Sequence, residues 1–186
     1  MTKSFVWRAV VAGWAGGFVG NALLGSLFSS SWIKNILYDP NLQSEVFLWL
    51  TPQRDVVVSV VGLIVLSGIH GLLFARLAPS LPGRGWKAKG LWWGFAIWAM
   101  YWVFQEWFIY VTLLREPIWL AALELVILLS GALIEGLVIA RIIGGGPPTV
   151  VSTARDDRHE GDAVAVVQRR VAFAGQHHAA IDRDVP

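Results

Sequence analysis

The chain contains no cysteine. Disulfide frameworks, thiol redox chemistry, cysteine zinc sites, iron–sulfur clusters and c-type haem attachment are therefore excluded. Charge is scarce as well: Asp, Glu, Lys and Arg make up only 15% of 186 residues, with a formal net charge of +2. A balance so close to zero gives no footing for nucleic-acid binding. Signatures of enzyme chemistry are also missing. There is no Ser/His/Asp order, no H-E-x-x-H motif and no phosphate-cradling glycine loop, since the glycine-rich stretches lie inside apolar runs. These absences point to a non-enzymatic protein without a cofactor or a metal-ligand set.

What is present is apolar. Hydrophobic residues account for 55% of the chain and tryptophan for 11 positions, well beyond an ordinary soluble domain. Four stretches, at roughly 5–28, 56–77, 90–114 and 118–143, each reach the ~20 residues that a bilayer crossing needs. The basic start around Lys3 and Arg8 imitates a signal peptide. The run Ala9–Phe28 is too long for a signal core, however, and is expected to stay as the first helix. The expected fold is all-α: a four-transmembrane-helix bundle over 1–143, then a disordered cytoplasmic tail over 144–186. The break at Gly144-Gly145-Gly146-Pro147-Pro148 marks the change. His159, His177 and His178 on such a tail lack the fixed geometry a metal needs.

Basic residues set the expected orientation. Lys3, Arg8, Arg76, Arg84, Lys87, Lys89 and Arg141 gather on one side, against Lys34, Arg54 and Arg115 on the other. The positive-inside bias then puts both termini in the cytoplasm and the protein in a cell inner membrane, with the lipid bilayer as its first partner. The long connection 29–55 carries Phe47-Leu48-Trp49-Leu50, a patch too short to cross and suited to the interface. The third connection is only Arg115-Glu116-Pro117, with proline suited to the first position of the last helix.

Polar groups inside the spans are the main functional signal. Asn21, Gln105, Glu106 and Glu124 fall at a comparable depth, and His70 and Glu135 lie closer to the cytoplasm, by a rise of about 1.5 Å per residue. An ionisable group in hydrocarbon costs on the order of 3 kcal/mol and is retained where it pairs, lines a wet cavity or does chemistry. The first layer is expected to form a ligand or ion site of Asn21, Gln105, Glu106 and Glu124 with Trp102 and Tyr110. His70 and Glu135 are expected to pair between the second and fourth spans.

Ten of the nineteen residues from Trp92 to Tyr110 are aromatic. Trp102, Glu106 and Tyr110 recur every four residues, so a carboxylate stands between aromatic faces, as a lipophilic cation prefers. Opposite this bulk, the first span offers Gly13, Gly16, Gly17 and Gly20 at small-xxx-small spacing. That face is expected to receive a neighbouring helix, a second copy or a partner membrane subunit.

Gly68-Ile69-His70-Gly71-Leu72-Leu73-Phe74-Ala75-Arg76, Glu106-Trp107-Phe108-Ile109-Tyr110 and Leu114-Arg115-Glu116-Pro117 resemble small four-span bacterial membrane proteins of uncharacterised function. The likeness covers about 5–143 and implies no assigned activity. Small multidrug-resistance exporters share the span count and aromatic wealth. They are built around a first-span glutamate, whereas this span carries Asn21 and no acid. The first expectation is thus a structural or accessory membrane component. The alternative is a small transporter or channel for a proton or lipophilic cation using the intramembrane glutamates, and the third reading is a quinone- or isoprenoid-binding subunit.

Overall fold

Why the helices start and stop where they do is largely a matter of caps and turns. A computed structural model of the chain describes residues 3–50 and 55–144. Helix α1 (Lys3–Phe28) is followed by α2 (Ser31–Leu37) and α3 (Glu45–Leu50). Then come α4 (Val56–Leu77), α5 (Gly85–Ile97), α6 (Val103–Gln105) and α7 (Ile118–Gly144), and there is no strand among the described residues. Asp55 caps α4, its carboxylate accepting from the Val58 amide at 3.1 Å. Pro117 sits just ahead of α7 and its carbonyl accepts from Leu120 at 2.9 Å. The turn before it needs Arg115 at φ 56°, a left-handed backbone unusual for a side-chain-bearing residue.

Helices α1, α4 and α7 are each long and apolar enough to cross a membrane, which makes this a membrane-embedded protein by length and composition. The expected span at 90–114 differs in kind. Its backbone is helical from Gly85 to Leu113, but Trp98–Trp102 and Glu106–Leu113 are π-helical on either side of α6. The wider bonding shows in Leu114, whose amide donates to Ile109, and in Thr112, whose hydroxyl donates to Trp107, both five residues back. Crowded rings accompany the change: Tyr101 meets Trp102, and Phe104 meets Phe108, each with centroids 4.7 Å apart. Mixing 3.6-residue turns with wider ones averages roughly four residues per turn, which holds Trp102, Glu106 and Tyr110 in line.

The long helices form a row rather than a closed ring. Helix α1 lies between α4 and α7, and α7 lies between α1 and α5, while α4 scarcely meets α5. Small residues make these seams. A Cβ on Gly13 would sit 1.9 Å from the Ser67 carbonyl oxygen, and one on Gly20 would sit 2.8 Å from that of Gly131. On the other seam, a Cβ on Gly94 would lie 2.4 Å from the Ala132 oxygen. The glycine face of α1, expected to receive a neighbouring helix, a second copy or a partner subunit, receives α4 and α7 of the same chain. Spacing marks a close helix contact but does not say which helix makes it.

Replacing Gly13 with alanine must push two backbones apart, and stability should fall by about 2 kcal/mol. Gly62 has nothing within 4 Å of an added Cβ, so Gly62→Ala should match the parent or gain up to about 1 kcal/mol from helix propensity. Thermal-unfolding midpoints in detergent check both.

Two apolar clusters close the ends. Leu24, Leu120, Ile127 and Leu128 pack with Ile33 and Leu37 of α2, so the connection after α1 folds down over the Phe28 end of the bundle. Phe74, Trp93, Ile97, Ala132, Ile139 and Ala140 pack at the other end, where Arg8 donates to the Ile142 carbonyl at 3.1 Å. The patch Phe47–Leu50 becomes part of α3, and its faces divide. Trp49 is 81% exposed, while Phe47 turns in against Tyr110 at 6.5 Å between centroids. The tail expectation, the three tail histidines and Arg54 fall outside the described residues.

Candidate functional site

A chamber of about 550 Å³ lies beneath the folded-down connection. Helix α1 contributes Asn21, and the third helical stretch contributes Trp102, Gln105, Glu106 and Tyr110. Glu124 enters from α7. These are the six residues that the sequence singles out for a ligand or ion site, and they share one cavity. The connection supplies a roof of Tyr38, Gln43 and Phe47, and the turn before α7 supplies Glu116.

Glu116 is the residue that sequence reasoning missed. It stands in a short turn beside Arg115 and Pro117, where an acid is unremarkable. The available signal was its spacing, eight residues or roughly two turns ahead of Glu124. In the fold it is 4% exposed, and its carboxylate joins those of Glu106 (2% exposed) and Glu124. Oxygens of all three lie within 4.8 Å of one another. The three form a group that could hold a metal ion, where the sequence reading named no metal ligand. Burial pushes the Glu116 carboxyl up to about 7 from 4.5, the nearby Glu124 charge adds to this, and a hydrogen bond from Gln43 opposes it. Near neutral pH it exchanges a proton readily.

Asn21 lines this chamber from α1. Its amide donates to the Gly17 carbonyl of its own helix at 2.9 Å. It stands at a boundary, because a second chamber of about 390 Å³ is lined by Asn21, Trp102, Gln105 and Tyr110 as well. The two polar layers read from the sequence are therefore adjoining chambers with a shared four-residue wall.

The second chamber lies between α4 and the third stretch, the gap left by the open row of helices. His70 and Glu135 line it, with His70 Nδ1 2.8 Å from Glu135 Oε1. The path of Glu135 explains two of the glycines. Its Cγ would be 3.3 Å from a Cβ on Gly16, and its Cβ 3.3 Å from one on Gly20. The side chain thus lies along the glycine surface of α1 and reaches His70 on α4, linking two helices that otherwise touch little. Of the serines on the same level, Ser67 is buried against α1, and Ser130 donates to the Ile127 carbonyl at 2.6 Å.

Fold and site together define a class: a helical membrane-embedded protein with a buried three-carboxylate chamber beside a histidine–glutamate pair. No protein-family model, curated protein or solved structure matches the chain.

Proposed function

We propose that this protein is a four-span, multi-pass protein of a bacterial inner membrane, with both termini cytoplasmic, that carries a proton or a lipophilic cation across the bilayer. The fourth span is the helical stretch Gly85–Leu113, which at about 1.5 Å per residue extends on the order of 40 Å. The observation that carries the reading is the shared wall of Asn21, Trp102, Gln105 and Tyr110, which sets the carboxylate chamber directly against the His70–Glu135 chamber. Carboxylates and a histidine in succession through a low-dielectric bundle are the parts of a proton or cation relay. Aromatic rings of Trp102 and Tyr110 beside carboxylates also suit a lipophilic cation.

Purified protein in liposomes should pass protons under an imposed potential, read by an internal pH dye, or accumulate tetraphenylphosphonium. Glu124→Gln should reduce the active flux at least about tenfold, as loss of a relay group does. Flux of both probes no greater than in empty liposomes sinks the reading.

A second reading, the structural or accessory component, is favoured by one observation. Helix α4 leaves Val56, Val57, Val58 and Val61 exposed over its first two turns, and in a bilayer either lipid or a partner helix covers such an apolar end. Under that reading, the polar pairs serve to hold the bundle.

A further inference from the structure

We propose that Glu106, Glu116 and Glu124, with the amide oxygen of Gln43, form a binding site for a hard divalent cation of about calcium size. The inference goes beyond the transport reading and does not need it, because binding at equilibrium requires no path across the membrane.

Three observations converge. First, the carboxylate oxygens gather within 4.8 Å. Oxygens around one calcium, at bonds of 2.3–2.6 Å, lie no more than about 5 Å apart, so three oxygens within 4.8 Å are compatible with a single calcium shell. Around magnesium, with bonds near 2.1 Å, no two ligand oxygens lie more than about 4 Å apart, a tighter limit. Donors that are all oxygen favour hard cations over soft transition metals.

Second, Glu116 Oε2 is buried with no hydrogen-bond partner among the described residues, although the residue is only 4% exposed and lines the chamber. A buried carboxylate oxygen left in that state calls for a cation or a donor.

Third, Gln43 is oriented for the same task. Its amide nitrogen donates to the Leu37 carbonyl, and its side chain also hydrogen-bonds Glu116. The amide oxygen is left buried and unpartnered in the same chamber. A buried oxygen that can only accept, from outside the acidic cluster, thus belongs to a residue that lines the cavity with the three carboxylates. Protons on the glutamates would satisfy some of these oxygens but would not explain an unpartnered neutral acceptor on a neighbouring residue of the same cavity.

The test is equilibrium dialysis of the purified full chain in detergent against calcium chloride, with manganese binding by electron paramagnetic resonance as a second probe. One ion per chain is expected, half-saturating below about 1 mM, within the range of carboxylate calcium sites. Glu116→Gln should weaken binding at least about tenfold, since charge count among the ligands tunes affinity. Glu45→Gln, an exposed acid at the start of α3, should bind as the parent does. No saturable uptake up to about 5 mM, or equal affinity in the parent and Glu116→Gln, overturns the proposal. Because Glu116 lies in a turn, size-exclusion and circular dichroism profiles matching the parent show that any loss is at the site. Calcium uptake without flux would leave the metal site standing and remove the transport reading. Flux without calcium uptake would do the reverse.

Discussion

His70→Leu is expected to destabilise the protein by about 2–3 kcal/mol, while His70→Leu combined with Glu135→Leu recovers most of that loss. The single change leaves the Glu135 carboxyl, 7% exposed, without the ring nitrogen now 2.8 Å away. Losing one member of a buried pair is worth 3–5 kcal/mol in water-soluble proteins. Hydrogen bonds between membrane helices are worth less, about 0.6 to 2 kcal/mol, because the unfolded chain in lipid also finds partners. The 18% exposure of the histidine side chain argues for a value between these ranges. The double variant removes both polar groups and leaves an apolar contact between α4 and α7. Thermal-unfolding midpoints of the two single variants and the double variant give the coupling directly. A double variant as unstable as the worse single one would mean that the pair does not act as a unit. If the double variant matches the parent in stability but loses flux, the pair is kept for conduction rather than for the fold.

That outcome bears on what the sequence could and could not convey. Lipid imposes a length and an apolar composition on any spanning helix, so α1, α4 and α7 begin and end within about two residues of the runs visible in the sequence. For the same reason Glu106, Glu124, His70 and Glu135 stand out, since a charge in such a run is costly. Other features depend on contacts that no local pattern encodes. The π-helical turns accompany crowded rings and have no residue signature of their own. Gly16 and Gly20 read as a docking face, but in the fold they are the space in which the Glu135 side chain runs toward α4. The roof residues Tyr38, Gln43 and Phe47 come from a connection whose course is set by Ile33 and Leu37 seating on Leu24, Leu120 and Leu128. Glu116 looks like a surface acid until that roof closes over it.

Glu116→Gln is expected to raise stability by up to about 3 kcal/mol near pH 8 and to change little near pH 4. The folded chain holds the Glu116 proton to about pH 7 against an ordinary value of 4.5. A shift of that size, at about 1.4 kcal/mol per pH unit, sets the magnitude. The sign follows from proton counting. Between these two values the native state binds more protons than the unfolded one, so stability falls as pH rises from about 4.5 to 7 and then levels off. Ionising the carboxyl is unfavourable because it is buried, and because the Glu124 charge stands close by. Glutamine keeps the shape and one acceptor oxygen but cannot ionise, so its stability should lack that decline. The comparison belongs in a chelator, since a bound divalent cation would stabilise the ionised carboxylates and hide the effect. Parent and variant midpoints should converge near pH 4 and separate progressively above pH 5. A constant difference across that range would show that Glu116 titrates as an ordinary surface acid, and would remove the electrostatic basis for a chamber that binds cations. Separation in chelator that closes when calcium is added would tie the destabilising charge and the metal site to the same carboxylate.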